Sequence, residues 1–567
     1  MGLRDKINYY TGNSDILFHI KNMIDWKTIV PLVDVNKNFS SVEEAVSMYE
    51  EVLSLCGEIC GVGGGDKKSL AELAIEVDKK GCKFENGKVI LPEELTNGLG
   101  YLAEAGLISP SIPEDGGGMG FPKTVSMILT EMVSRADASL MNFYGLPEGI
   151  AETIYKFGSK EQKEKYLSKI ISGELKVAMA LTEENAGSDL RALKMLATKK
   201  EDGSWTLKGK KVFITIGCGD LILTMAKTDP NSRDLSMFLN LKDPRLEVIG
   251  LESKLGIKGS PTCELDYNNC PAELIGEVGK GFDYVIYLMD GSRLGIASQA
   301  LGIADAALYD AKNYAAWRKQ FGFSLNMMPP IKEMLTEMQM DVEASRSVLY
   351  AASQVVDIKE AFERIGKDKE AKKLEPYSVL LTCLSKYAVA EIANNVADKA
   401  VQIFGGNGYI KDFPVERYFR DARITNIYEG TSQIQTLAAL QAMGKGAAHM
   451  LLDDVDKTLK RISKPSLEKA LSCVRDAKGL FEKAAFYISK DKEYAMLSAK
   501  NISDMMFDLY ASAQLLKQAQ ISPRKEKLAN MYVSKMLPRM RAKNEIVTSG
   551  DRKVLDDAQE ILYGGDS

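Results

Sequence analysis

The feature that most limits the fold is a block of short strand-like segments within residues 176–281, with helical patterns on both sides. Residues 205–215, 221–225 and 236–241 are rich in strand formers, and turn formers such as Pro230 separate them. Strands that follow one another without intervening helices argue against a parallel dinucleotide-binding sheet, and the sequence contains no GxGxxG motif. We therefore expect one small β-domain inside a mainly α-helical chain.

Helical periodicity fills most of the remaining sequence. At 567 residues the chain is too long for one compact core, which favours three or four domains. From Arg293 onward, small and apolar residues recur at i, i+3, i+4 and i+7, so this helix can pack very closely against its neighbours. The patterns predict an N-terminal extension, an N-terminal helical domain, the β-domain, a four-helix domain and an additional helical domain, at residues 1–45, 46–175, 176–281, 282–445 and 446–567.

Rare residues exclude several kinds of chemistry. Eight cysteines are scattered without a Cys-x-x-Cys pair, and His19 and His449 are the only histidines. We therefore expect no metal site and no Ser-His or Cys-His catalysis, which leaves acid–base work to carboxylates. A net charge of −5 argues against a general nucleic-acid binder.

The sequence also predicts a cytoplasmic location. No apolar run follows the first charges of the N-terminus, so we expect no signal peptide. No stretch approaches eighteen consecutive apolar residues, so we expect no membrane span. The scattered cysteines fit reduced thiols in a reducing compartment.

Two segments, about 220 residues apart, carry the motifs with chemical meaning. Residues 181–189 spell Leu-Thr-Glu-Glu-Asn-Ala-Gly-Ser-Asp, and residues 402–435 begin with a glycine-rich turn and contain Tyr-Glu-Gly-Thr at 428–431. A Glu-Gly pair alone is usually a turn or a helix end. In an apolar cleft, however, the pKa of such a carboxylate rises and the group can serve as a base near neutral pH, which makes Glu429 the candidate base.

Together these motifs resemble the acyl-CoA dehydrogenase family. The family pattern of glycines, acids and a basic residue matches Gln402, Gly405, Gly406, Gly408, Asp412, Arg417 and Asp421. The resemblance implies the family fold: an N-terminal helical domain, a small β-barrel or sandwich, and a C-terminal four-helix bundle. It also implies fatty-acid β-oxidation chemistry, the FAD-dependent α,β-dehydrogenation of an acyl-CoA thioester to the trans-2-enoyl-CoA. Glu429 would remove the α-proton, FAD N5 would accept the β-hydride, and an electron-transferring flavoprotein would receive the electrons.

The region around Arg293 bears on the choice of base and on the substrate. Some family members carry their base on a helix, just before an arginine. Here that position is Ser292, which cannot act as a base, and this supports Glu429. The resemblance places Asp290 and Arg293 near the entrance for CoA and substrate, although the residues alone fit a surface ion pair equally well. Further substrate-binding candidates implied by the resemblance are Ser188 and Gly430.

The resemblance also assigns the FAD site. Residues of the β-domain would contact the isoalloxazine ring or the pyrophosphate: Met179, Leu181, Thr182, Ser188, Phe213 and Thr215. Residues from the helices that follow would reach the FAD of the partner subunit: Arg318, Gln320, Phe321, Gln402 and Gly406. Thr431 and Gln433 would bind the FAD of their own subunit. Ile216 departs from the family, in which an asparagine usually follows the threonine at the position of Thr215.

The last 120 or so residues resemble the additional helical domain of a larger bacterial subgroup, which includes enzymes acting on 3-methylthiopropanoyl-CoA. A flavin site shared between subunits implies an oligomer. The additional domain would cover the surface used for a second dimerisation, so we expect a homodimer. Short to medium acyl chains, with or without substituents, fit the sequence.

Two alternatives to a dehydrogenase remain open from the sequence. An acyl-CoA oxidase would use the same base and flavin but return electrons to oxygen, although such enzymes are usually longer. A non-catalytic flavoprotein that binds DNA through its C-terminal domain would need a strongly basic face there. Acidic residues interrupt the basic ones in that region: Asp453, Asp454, Asp456, Asp556, Asp557 and Glu560.

Overall fold

The protein is a mainly helical chain with one central sheet, and the fold class predicted from the sequence is confirmed. The structure is a computed structural model that describes residues 6–34, 38–64 and 66–564. Part of the predicted N-terminal extension, residues 1–5 and 35–37, lies outside the described residues.

Helices form most of the chain before the sheet. Two of them begin with a capping box, in which Ser69 pairs with Glu72 and Ser159 pairs with Gln162, so each serine satisfies a free N–H at the helix start. Every residue of α6 is buried, which makes it the centre of this region. The elements are α1 (Ser14–Asn22), α2 (Trp26–Val33), α3 (Val42–Gly61), α4 (Leu70–Lys80), the hairpin β1 (Lys83–Glu85) and β2 (Lys88–Ile90), α5 (Glu93–Glu104), α6 (Lys123–Ala136), α7 (Leu140–Phe157) and α8 (Lys160–Ile171).

The central sheet has seven strands: β3 (Val177–Ala180), β4 (Leu196–Lys199), β5 (Trp205–Thr215), β6 (Leu221–Ala226), β7 (Ser236–Leu241), β8 (Leu246–Leu251) and β9 (Thr262–Ile275). The strand order is β3-β6-β7-β9-β5-β4, and β8 also pairs with β9. Among the described strand pairs of this sheet, β3 and β6 run parallel and the others are antiparallel. A bridge between Leu196 and Lys227 brings the start of β4 back to the end of β6, so the sheet is partly closed on itself.

Three very long helices and two shorter ones follow the sheet: α9 (Gly281–Trp317), α10 (Pro329–Arg364), α11 (Asp368–Phe404), α12 (Val415–Ala422) and α13 (Ser432–Ala442). The hairpin of β10 (Lys319–Gln320) and β11 (Phe323–Ser324) connects α9 to α10. The small residues of α9 allow the close packing that their spacing predicts. A Cβ atom at Gly302 would lie 2.4 Å from the Glu131 carbonyl oxygen of α6, so only glycine fits there.

The C-terminal helices continue directly from α13. A turn of π-helix, Met443–Ala447, joins α13 to α14 (Ala448–Lys460), and Gly446 with φ of 95° kinks the chain at this point. After it come α15 (Glu468–Ile488), α16 (Lys492–Ala519), α17 (Pro523–Thr548) and α18 (Lys553–Tyr563). Gln518 Nε2 donates to Ser347 Oγ at 2.6 Å, and Lys535 Nζ lies 2.5 Å from Glu337 Oε1. These helices therefore cover one face of α10.

A buried ion network joins the two ends of the chain to its core. Arg346 of α10 lies 2.5 Å from Asp15 of α1, 2.6 Å from Glu131 of α6 and 3.0 Å from Asp305 of α9. Lys525 of α17 forms ion pairs with Asp15 and, at 2.6 Å, with Glu343 of α10. Residues 1–45 carry no motif that indicates a role, whereas Asp15 is part of this network.

The helices described by the structure do not include one whose length and apolar character suit a bilayer crossing. The division into five domains remains a prediction. Within the described residues, the strands of the main sheet lie between Val177 and Ile275, and the first long helix after them begins at Gly281.

Candidate active site

The candidate base lies in a strained loop just before α13. Glu429 has φ of 54° and Gly430 has φ of 87°, both in the left-handed region. A Cβ atom at Gly430 would lie 2.6 Å from Gln435 Nε2, so a larger residue would collide with that side chain. Thr431 then caps α13, because its side chain accepts a hydrogen bond from the Ile434 N–H at 3.3 Å. The surroundings therefore hold a conformation that a glutamate seldom adopts.

The carbonyl groups of this loop are held by two side chains, whereas the N–H of Glu429 is not. Lys386 Nζ donates to the Gly430 carbonyl at 2.6 Å, and Gln435 Nε2 donates to the Glu429 carbonyl at 2.9 Å. Among the residues that the structure describes, none accepts a hydrogen bond from the Glu429 N–H. The Glu429 N–H can therefore donate to a ligand.

The Glu429 carboxylate itself is half-buried and has a hydroxyl donor. Ser292 Oγ of α9 donates to Glu429 Oε2 at 2.9 Å. Burial raises the pKa of Glu429, while the Ser292 hydrogen bond and the charges of Lys386 and Arg293 act to lower it. The burial effect prevails, so the carboxylate is a stronger base than an exposed glutamate.

Arg293 and Asp290 form an ion pair one turn apart on α9, with Arg293 Nη1 2.5 Å from Asp290 Oδ1. Arg293 is only 9% exposed, which excludes a simple surface ion pair. Burial raises the pKa of Asp290, and the charge of Arg293 opposes that rise. Ser292 lies between them in sequence and binds Glu429, so α9 brings this pair close to the candidate base.

The flavin-side candidates of the β-domain come together at a β-bulge. The pairing of β5 with β9 shifts between Lys211 and Ile214, and this leaves Phe213 62% exposed with φ of 59°. The Val212 N–H donates to the Thr182 carbonyl at 3.1 Å, which joins the two predicted segments. Met179 and Thr215 are partly exposed and Leu181 is buried.

A buried lysine fixes the end of β3 beside this bulge. Lys211 Nζ donates to the Leu181 carbonyl and to Glu183 Oε1, both at 2.9 Å, and burial lowers the pKa of Lys211 to about 8. Ser188 is exposed in the loop that follows. An exposed aromatic ring in a strained conformation, next to hydroxyl groups, is suited to cover a planar cofactor. The residues of this region therefore fit a flavin.

A second group of candidates forms an exposed surface at the far end of α9. Tyr314 stacks on Phe404 with ring centroids 4.0 Å apart, and Asn407 Nδ2 donates to the Tyr314 hydroxyl at 3.0 Å. These contacts join the end of α9, just before the β10–β11 hairpin, to the end of α11 and the glycine-rich turn. All five predicted partner-subunit contacts are exposed here: Arg318, Gln320, Phe321, Gln402 and Gly406. Gln433 is exposed on α13.

Three residues of the candidate site were missed or only partly understood from the sequence. Ser292 was predicted to be unable to replace the base, and the structure adds that it binds Glu429. Lys386 and Lys211 were not singled out. For Lys386 a signal existed, because a single lysine interrupts an apolar stretch, residues 379–390, on a helical pattern.

Comparison with known proteins agrees with this geometry. Residues 67–174, 178–270 and 279–444 match, in order, the N-terminal, middle and C-terminal domains described for acyl-CoA dehydrogenases. The chain belongs to the acyl-CoA dehydrogenase family. Proteins of this family bind FAD and are oxidoreductases that act on the CH–CH group of donors.

Three relatives show how far the likeness extends. The 3-methylmercaptopropionyl-CoA dehydrogenase of Ruegeria pomeroyi is 32% identical over 460 residues, covering 76% of this chain and 75% of the relative. An acyl-CoA dehydrogenase from Bacillus anthracis, solved in complex with FAD, is 26% identical with a TM-score of 0.73, covering 80% of this chain and 83% of the other. ACDH-11 of Caenorhabditis elegans, solved with C11-CoA, has a TM-score of 0.78 at 21% identity and covers 93% of this chain and 95% of its own. The last comparison extends the shared fold into the C-terminal helices.

Proposed function

We propose that this protein is an FAD-dependent acyl-CoA dehydrogenase that converts an acyl-CoA thioester to the trans-2-enoyl-CoA, with Glu429 as the base. The proposal depends on the loop that contains Glu429 and Gly430 just before α13, which we call the catalytic loop. It combines a half-buried carboxylate of raised pKa with a free backbone N–H on the same residue. Removal of a proton next to a carbonyl requires both a base and a donor to the oxygen on which negative charge develops.

Residues of the loop and of α9 have different roles in this proton removal. Glu429 takes the α-proton, and its N–H donates to the thioester carbonyl as enolate character develops. Ser292 holds the carboxylate by its hydrogen bond to Oε2. The family cofactor FAD, when bound, supplies the acceptor for the β-hydrogen. Arg293 and Asp290, together with Gly430, line the approach to the base and are proposed substrate contacts.

The proposed FAD contacts form two groups. Phe213 and Thr215 at the bulge, with Met179, Leu181 and Thr182 beside them, would cover the flavin ring, and Ser188 would reach the pyrophosphate and the CoA. Thr431 and Gln433 at the start of α13 would bind the same cofactor. The group around Phe321 would serve the FAD of the partner subunit, because its side chains are exposed and accessible to a second subunit.

We propose a homodimer as the functional assembly. Two large aromatic side chains at the end of α9 and in the glycine-rich turn, Phe321 and Tyr409, are each 89% exposed, which favours burial against another subunit. The C-terminal helices cover a face of α10, which leaves that face unavailable to a further copy. A dimer by light scattering, lost on Tyr409→Glu, is expected; a wild-type tetramer would contradict this assembly.

The electron acceptor is proposed to be an electron-transferring flavoprotein in the cytoplasm. The direct test is anaerobic titration of the purified holoprotein with acyl-CoAs from C4 to C16, together with branched, aromatic and methylthio thioesters, while the flavin band is recorded. Bleaching by one class names the substrate. Rapid reoxidation of the bleached protein in air would indicate an oxidase, and a bound flavin that no thioester bleaches would overturn the proposal and call for a DNA-binding assay.

A further inference from the structure

A lysine lies buried directly beneath the catalytic loop. Lys386 belongs to α11, and its side chain is fully buried, with 0% exposure. Its ammonium group donates to the Gly430 carbonyl at 2.6 Å, the carbonyl that follows the candidate base. Lysine is seldom fully buried without a partner, so we expect Lys386 to contribute to the structure or the function of the site.

The charged groups that face Lys386 come from three elements. Glu429 belongs to the loop, Arg293 to α9, and Glu391 and Cys383 to α11 itself. Burial lowers the pKa of Lys386 to about 8, the carboxylates of Glu429 and Glu391 oppose the change, and Arg293 adds to it. At neutral pH the lysine is therefore mostly a cation, and in turn its charge lowers the pKa of Glu429.

The hydrogen bond from Lys386 to the Gly430 carbonyl also helps to hold the backbone conformation of this loop. Gly430 has φ of 87° and Glu429 has φ of 54°. Because this backbone is strained, contacts from other side chains are needed to hold the orientation of its peptide groups. Gln435 Nε2 holds the preceding carbonyl at 2.9 Å, and Lys386 holds the next one. With both carbonyls fixed, the Glu429 N–H keeps the orientation in which none of the described residues accepts from it.

We propose that Lys386 is a positioning residue for the dehydrogenation. It anchors the Gly430 carbonyl so that the base and its N–H stay aligned, and its charge favours the anionic form of Glu429 before proton transfer. This inference rests on the proposed function. A purely structural lysine would serve only to satisfy a buried carbonyl, and its replacement would alter stability without moving the pH dependence of the reaction.

Three variants separate the effect of the hydrogen bond to the Gly430 carbonyl from the effect of the positive charge. Lys386→Met removes both, Lys386→Gln keeps an N–H donor without charge, and Lys386→Arg keeps charge and donor. Lys373→Met, an exposed lysine of the same helix, is the matched control. Each protein is assayed as the FAD-loaded dimer for flavin content, melting temperature, and the pH dependence of kcat and KM for flavin reduction.

A second readout isolates the proton transfer. A 3-thia-acyl-CoA has an acidic α-proton but cannot lose a β-hydrogen, so its absorbance change reports deprotonation without turnover. For Lys386→Met we expect the acid limb to move up by about one pH unit, both in the pH profile of flavin reduction and in that of the 3-thia-acyl-CoA absorbance change. The reason is that Glu429 loses the positive charge of the nearby lysine. The plateau kcat should fall at least about 10-fold, with KM changed much less.

The other variants make the test decisive. Lys386→Arg should return the acid limb to within about half a unit of wild type, and Lys386→Gln should recover part of the plateau but not the limb. If Lys386→Met does not fold, the Gln and Arg variants decide by the same criterion. Folded, FAD-bound variants with the wild-type limb and plateau would refute the inference while the proposed function stands. Wild-type holoprotein that no thioester bleaches would overturn both.

Discussion

The hydrogen bond from Ser292 to Glu429 makes a quantitative prediction about the pH dependence of the reaction. In Ser292→Ala, the donor 2.9 Å from Glu429 Oε2 is lost and the rest of α9 is unchanged, since alanine is a good helix former. The hydroxyl favours the charged form of the carboxylate. Its loss therefore raises the pKa of Glu429 further above the ordinary value, in the direction in which burial already raises it.

The size of the change follows from the hydrogen bond and from the partial exposure of the site. A hydrogen bond to a charged group contributes about 1.5–3 kcal/mol, and one pKa unit corresponds to about 1.36 kcal/mol, so full loss would give about one to two units. Because the carboxylate is half-buried, water replaces part of the lost donor, and we expect about one unit. The base must be anionic to act, so activity disappears at a higher pH in the variant as pH falls.

Anaerobic stopped-flow reduction of the flavin, measured from pH 5 to 9, tests this prediction. The acid limb of kcat/KM should move up by about one unit while the alkaline plateau changes little. Ser292→Thr keeps the hydroxyl and should retain the wild-type limb. An unchanged limb in Ser292→Ala, with flavin still bound, would refute the assignment of Ser292 as a donor to the base.

Three further variants probe the loop, the ion network and the flavin face. Gly430→Ala, in left-handed backbone against Gln435, should reduce the rate of flavin reduction at least about 10-fold, whereas Gly444→Ala, in open space, should keep the wild-type rate. Lys525→Met removes one cationic partner from each of the buried carboxylates Asp15 and Glu343, which keep Arg346 and Arg524, so it should lower the free energy of unfolding in urea by about 1–3 kcal/mol. The exposed Lys160→Met should change it by less than about 0.5 kcal/mol, and equal stabilities would contradict the network. Phe213→Ala should retain less FAD per chain after dialysis, and undiminished FAD content would contradict the flavin contact at the bulge.

Local sequence signals were sufficient for the fold class. The strand block at 176–281 and the small residues after Arg293 act through short-range patterns, and the structure shows a sheet and a closely packed helix at these places. Glu429 could also be proposed as the base from the sequence, because its motif is continuous, and this assignment stays a prediction. Its left-handed backbone could not, since only contacts from distant elements hold that conformation.

Long-range pairings explain what the sequence did not reveal. Lys386 is 44 residues from Gly430, and Ser292 is 137 residues from Glu429, so neither partner can be inferred from spacing. The same holds for Asp15, which reaches Arg346 and Lys525 across most of the chain. The apolar stretch around Lys386 indicates that this lysine is buried, but the sequence names neither its partner nor those of Asp15.

The central claim is that Glu429 removes the α-proton, and Glu429→Gln tests it most directly. The amide keeps the shape of the side chain but cannot accept a proton as a base. Mixed anaerobically with the acyl-CoA that bleaches the wild type, the FAD-loaded variant should be reduced at least about 100-fold more slowly, with thioester binding preserved. Flavin reduction at the wild-type rate in Glu429→Gln would contradict the account.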